Sequence, residues 1–142
     1  MMCQDLMKTA IHCVSPTTTV EDAAVRMRDE GVGFLPICDA DQHVLGTITD
    51  RDIVIRAVAE HQDLSQPVST FMTNSIVGCR STDDLSYAEE LMSQEKVARI
   101  MCINEDGVLE GIISLSDIAQ VETESGRASA TLRNVSEREA FM

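Results

Sequence analysis

Two short stretches carry residues whose types and spacing could hold a sugar. Gly46-Thr47-Ile48-Thr49-Asp50-Arg51-Asp52-Ile53 places a hydroxyl at Thr49 and a carboxylate three positions on, at Asp52. Sixty-five residues later, Gly111-Ile112-Ile113-Ser114-Leu115-Ser116-Asp117-Ile118 repeats the frame with Ser114 and Asp117. Each stretch reads as a strand running straight into a helix. A hydroxyl and a carboxylate at this spacing can form a capping box that satisfies orphan backbone donors. The same pair can also bind. A carboxylate offers two acceptor oxygens to adjacent sugar hydroxyls, and a nearby hydroxyl fixes the pose. Backbone donors at the helix start carry partial positive charge suited to phosphate. For one copy, capping is the simpler account; the repeated frame favours a ribose site.

The elements that must position these corners repeat as well. Thr19 is a candidate N-cap, and Val20, Ala23, Ala24 and Met27 recur at helical spacing, so 20–30 is an amphipathic helix. Ile11–Val14 reads as a brief strand, Phe34–Cys38 as an edge strand because of Pro36, and Val44–Thr49 as the next strand. A second helix starts near Asp50 with Ile53, Val54, Ala57 and Val58 on one side. The order β-α-β-β-α then occurs again. Met7 falls on Met72, Ile11 on Ile76, Met27 on Met92 and Ile53 on Ile118, with no gap. In the second copy, Asp84 takes the cap position and Leu85, Ala88, Leu91 and Met92 form the apolar face. Such a register marks an internal repeat. The boundaries read as 5–60 for the first repeat, 61–69 for a linker, 70–122 for the second repeat and 123–142 for a polar tail. One such unit has too little core to stand alone, so two packed sheet to sheet, with pseudo-two-fold symmetry, are expected.

Composition narrows the function. The 142 residues carry a net charge of −13 and no Trp, which argues against a nucleic-acid binder and against base stacking on aromatic platforms. No apolar run is long enough for a membrane helix, and the first residues lack a leader pattern. A cytoplasmic protein with reduced thiols is expected. The 5 cysteines include no C-x-x-C pair. Cys13 and Cys38 fall on the first two strands of one unit, and Cys79 and Cys102 on those of the other. They read as small buried hydrophobes, or as a thiol or metal switch with His12 beside Cys13. No nucleophile with an adjacent base and no His/carboxylate metal motif stands out, so the chain reads as a non-enzyme with no metal site and no required cofactor.

The two corners, Leu35-Pro36-Ile37-Cys38-Asp39, and the methionines Met7 and Met72 resemble a tandem pair of CBS domains, a Bateman module, of the small free-standing bacterial kind. The resemblance covers residues 5 to about 122. It implies an α/β (α+β) fold and a regulatory sensor that binds AMP, ADP or ATP in clefts between the repeats. It implies ribose contacts at Thr49 and Asp52 in one site, and at Ser114 and Asp117 in the other. Phosphate falls to Arg99, with Arg51 or Arg56 serving the Asp52 site because Phe34 stands where Arg99 stands in the other repeat. The adenine pockets would use Met7, His12, Val32, Gly33 and Phe34 at the Asp117 site, and Met72, Val77, Val97 and Ala98 at the Asp52 site. A homodimer and an unknown protein target are the implied partners, with no nucleic acid and no membrane. The alternatives are a redox- or metal-responsive protein built on the cysteine pairs, and a structural dimerisation module with vestigial clefts.

Overall fold

The computed structural model describes residues 1–121, 131, 134 and 135. The chain divides into two compact units, one of His12–Ile76 and one of Met1–Ile11 with Val77–Met142. Each therefore holds one repeat's sheet and helices, together with the lead-in of the other repeat.

In the His12–Ile76 unit, α1 spans Val20–Glu30. Thr19 Oγ1 accepts from the Asp22 amide at 3.1 Å and caps its start. Gly31 ends it in the left-handed region at φ 67°, which costs glycine little. Val20, Ala23 and Met27 are buried, whereas Ala24 faces solvent. Strands β1 (Phe34–Cys38) and β2 (Val44–Thr49) pair antiparallel, with Phe34 opposite Thr49. Leu35, Ile37 and Ile48 close the core against α1, joined by Val68 and Phe71 from the segment after the repeat.

The expected strand at Ile11–Val14 reduces to a single parallel bridge, Val14 to Ile37. The cause is Pro36. In the other unit, the equivalent Met101 amide reaches the Val77 carbonyl at 3.4 Å, and β3 (Gly78–Cys79) pairs with β4 (Arg99–Ile103) over two residues. Proline has no N–H for that bond. The Thr47 amide and carbonyl, opposite Pro36, pair with Thr73 at 3.0 and 2.9 Å, as those of Ile112, opposite Met101, pair with Lys8. β1 thus pairs with β2 on one side, as an edge strand does, and meets only the single Val14 bridge on the other, where Pro36 lacks an N–H.

In the second unit, β4 pairs antiparallel with β5 (Leu109–Ser114), placing Arg99 opposite Ser114. Both antiparallel pairs shift register at the same repeat position, Ile37/Cys38 and Cys102/Ile103. Helix α3 (Leu85–Glu95) is capped by Asp84, whose Oδ1 accepts from the Ser86 amide at 3.0 Å. It buries Leu85, Ala88 and Met92, with Leu91 half-buried. Helix α4 is Leu115–Val121.

The helix after β2 departs from the expected face. It begins as α2 (Asp50–Asp52) and continues at Ile53–Val58 with π-type bonds, Ala59 N to Val54 O at 2.8 Å and Gln62 N to Ala57 O at 2.9 Å. Ile53 and Ala57 are buried, but Val54 and Val58 are 56% and 53% exposed. They fall beside the buried stripe of Ile53 and Ala57, and Ala119, the equivalent of Val54, is exposed on α4 as well.

No helix among the described residues is long and apolar enough to cross a membrane. The expected polar tail, with Leu132 and Phe141, lies outside the described residues, apart from Thr131, Asn134 and Val135. These three are helical; Thr131 and Val135 are buried, and Lys96 Nζ donates to the Asn134 carbonyl at 3.4 Å.

Candidate ligand-binding site

Each repeated corner is a capping box. Thr49 Oγ1 accepts from the Asp52 amide at 3.1 Å, and Asp52 Oδ2 accepts from the Thr49 amide at 3.0 Å. Ser114 Oγ accepts from the Asp117 amide at 3.2 Å, and Asp117 Oδ2 accepts from the Ser114 amide at 3.3 Å. The shorter Asp thus serves where Glu is usual. The second oxygen of each carboxylate faces a cation: Arg56 Nη2 lies 3.4 Å from Asp52 Oδ1, and Lys8 Nζ lies 3.3 Å from Asp117 Oδ1.

The two cations come from different places. Lys8 lies in the lead-in, where its amide and carbonyl pair with Ile112 at 2.9 and 3.0 Å. The matching position in the other unit is Thr73, paired with Thr47 in the same way. There the charge comes from the helix, as Arg56. Its Nη1 donates to the Phe71 carbonyl at 2.8 Å and to Thr73 Oγ1 at 3.1 Å.

Glycines let these lead-ins approach closely. A Cβ at Gly46 would stand 2.7 Å from the Thr73 carbonyl oxygen and 2.9 Å from Met72 Sδ. A Cβ at Gly111 would stand 2.6 Å from Met7 Sδ. Met7 and Met72, drawn from the sequence as adenine-facing, therefore lie against the strands that lead into Ser114 and Thr49 respectively.

Arg99 lies opposite Ser114, and the Leu115 amide donates to the Ala98 carbonyl at 2.8 Å, so Val97–Arg99 flanks the Asp117 corner within its own unit. Val32–Phe34 flanks the Asp52 corner likewise, with the Asp50 amide on the Gly33 carbonyl at 3.0 Å. The space that a Cβ at Gly33 would occupy is taken by the Asp50 carboxylate, 2.8 Å away. Arg51 is exposed. His12 is half-exposed, and its Nε2 lies 3.3 Å from Glu30 Oε2. Val32 and Met72 pack on the core of one unit; Met7, Val77 and Val97 pack on that of the other.

Burial pushes the Asp117 carboxyl up, but the Ser114 hydroxyl and amide, with Lys8, outweigh it and hold the group below its ordinary 3.8. It is an ionised acceptor at neutral pH. Sequence reasoning missed Lys8, because its partner lies at the far end of the chain.

A duplicated unit of helix, antiparallel strand pair and helix, with a hydroxyl-x-x-aspartate corner after the last strand of each sheet, defines a class of paired-repeat folds. The CBS domain family matches residues 3–58 and again 68–124, and the chain belongs to it. It is 34% identical over 134 residues to the CBS domain-containing protein YhcV of Bacillus subtilis, covering 94% of each chain. It is 31% identical over 118 residues to Hypoxic response protein 1 of Mycobacterium tuberculosis, covering 82% of each. The crystal structure of Hypoxic Response Protein I with two coordinated zinc ions aligns with a TM-score of 0.77 at 31% identity, covering 85% of this chain and 98% of that one. CBSX2 in complex with AMP shares the fold, with a TM-score of 0.76 at 24% identity, covering 87% of this chain and 96% of that one.

Proposed function

We propose that this protein is a non-enzymatic regulatory module that binds an adenosine nucleotide, AMP, ADP or ATP, at the Asp52 and Asp117 corners. The observation that carries the reading is the pose of the two carboxylates. Each is fixed through one oxygen by its capping box and presents the other to an exposed cation. Lys8 is 72% exposed, so displacing it costs little. A ribose diol then donates to the freed oxygen and to the remaining lone pair of its neighbour. The released cation becomes available to the phosphate, with Arg99 beside Ser114, and Arg51 beside Asp52. The adenine-facing residues Met7, His12, Val32, Gly33, Phe34, Met72, Val77, Val97 and Ala98 keep that role as part of the proposal. Binding would favour one conformation that a protein partner reads. The same-fold protein CBSX2 holds AMP, which is in keeping with this reading. Calorimetry with AMP, ADP, ATP and NAD tests it, and no heat from any of them at millimolar concentration overturns it.

Self-association as a homodimer belongs to the same proposal. The expected apolar faces of α1 and α3 are spent on their own cores, but Val54, Ile55 and Val58 remain exposed on one helix. Light scattering at tens of micromolar should give twice the chain mass; the mass of a single chain would refute the dimer.

A further inference from the structure

The sequence pairs one cysteine couple with each repeat, and the structure adds a third thiol, Cys3, to one of them. Cys79 and Cys102 stand opposite each other on β3 and β4, with sulfurs 3.9 Å apart. Cys3 from the lead-in joins them, its sulfur 3.7 Å from that of Cys79. The three are 0%, 6% and 0% exposed for Cys3, Cys79 and Cys102. All five cysteines are free thiols. None of these three takes part in the nucleotide corners.

We infer that Cys3 and Cys79 form a reversible disulfide under oxidation by a hydroperoxide, with Cys102 as the neighbouring thiol left free. The choice of pair follows from the backbone. Cys79 and Cys102 are held by adjacent hydrogen-bonded strands about 4.8 Å apart, with side chains running side by side. A disulfide needs sulfurs at about 2.05 Å and a dihedral near 90°, so joining that pair twists two paired strands. Cys3 sits instead on a single 3₁₀ turn, Cys3–Asp5, outside the paired strands. It is tied to the loop after β3 by Cys3 N to Asp83 O and Gln4 N to Ser81 O, both 2.8 Å. Those bonds keep its sulfur over Cys79.

The chemistry also selects Cys3 as the thiol that reacts first with the peroxide. Hydrogen bonds from the Cys102 and Cys79 thiols lower its pKa, while contacts within the cluster and burial raise those of Cys79 and Cys102. The Cys3 thiolate attacks one peroxide oxygen, giving a sulfenic acid and hydroxide. The Cys79 sulfur then displaces the sulfenic oxygen, the S–S bond forms, and its proton leaves with that oxygen as water. Two thiols are oxidised, and one peroxide is reduced to two waters. Because the sulfurs are buried, peroxide enters when the lead-in opens locally.

The test does not depend on nucleotide binding. Cleavage after Lys and Arg puts the five cysteines on five separate peptides: residues 1–8, 9–26, 29–51, 57–80 and 100–127. The full-length protein is treated with hydrogen peroxide, alkylated, digested and mapped by mass spectrometry without reductant. The expected product joins 1–8 to 57–80, with 100–127 alkylated, and dithiothreitol reverses it. Cys102→Ser should retain the link and Cys3→Ser should lose it. Peptide 57–80 joined to 100–127 in the wild-type protein, or 57–80 joined to nothing, overturns the proposal, as does loss of the link in Cys102→Ser.

Discussion

Asp117 shows how one side chain serves two ends. Its Oδ2 is spent on the capping box, and its Oδ1 is held by Lys8. Lys8→Ala should move the carboxyl back up toward its ordinary 3.8, as read by NMR titration, at a cost in stability of less than about 1 kcal/mol. Ser114→Ala removes the acceptor for the Asp117 amide and should cost roughly 1 kcal/mol by denaturant unfolding. The hydroxyl and the carboxylate are legible in the sequence, because they lie three residues apart and recur. The cations are legible only in part. Arg56 sits one helical turn from Asp52, whereas Lys8 reaches Asp117 through lead-in pairing that no local pattern announces. The thiol cluster is hidden for the same reason, since Cys3 meets Cys79 from the opposite end of the chain.

At the scale of elements, helix starts were readable from Thr19 and Asp84, and the apolar spacing gave the α1 and α3 faces. The Ile11–Val14 strand was not, because it depends on a missing N–H at Pro36, and the face of the helix after β2 is narrower than the sequence suggests, confined to Ile53 and Ala57. The two repeats also exchange solutions to the same backbone problem. Gly31 ends α1 at φ 67°, and Lys96 ends α3 at φ 56°. In the hairpin turns, Gln42 has φ 69° where Gly107 has φ 84°. Gly31→Ala meets no atoms within 4 Å, so its cost is backbone alone, about 1–2 kcal/mol. Gln42→Gly relieves the same strain and should stabilise by roughly 0.5 kcal/mol net of the added chain entropy. Gly46→Ala should cost more than Gly111→Ala. The first sets a methyl 2.7 Å from the Thr73 carbonyl oxygen, which is backbone; the second meets Met7 Sδ and Cγ, which can swing away, and Met7 Cβ at 2.9 Å, which gives less. Overpacking of this kind costs roughly 1–3 kcal/mol, and thermal melts of the two variants rank them.

Over the whole molecule, acidity sets the pH response. Asp39, Asp63 and Asp117 are held below 3.8 in the folded protein, through backbone hydrogen bonds from His43 and Ser65 for the first two and the Ser114 and Lys8 contacts for the third. A lowered carboxyl adds stability that is complete above its ordinary value and is lost as pH falls through the folded one. Melting temperature should therefore drop once pH passes below about 4. The net charge of −13 leaves few cations for an anionic ligand, which gives weight to where Lys8, Arg56, Arg99 and Arg51 stand. Arg99 lies opposite Ser114, whereas its counterpart beside Thr49 is Phe34. A hydrogen bond to a charged group contributes roughly 1.5–3 kcal/mol, about ten- to a hundredfold in affinity. The Asp117 corner should then be the tighter site for AMP. Calorimetric titration of AMP into the wild type, Asp117→Ala and Asp52→Ala tests this most directly. The account predicts that Asp117→Ala abolishes the tight binding event and Asp52→Ala leaves it nearly intact. An absence of AMP binding to the wild type at millimolar concentration, or loss of the tight event in Asp52→Ala alone, would contradict it.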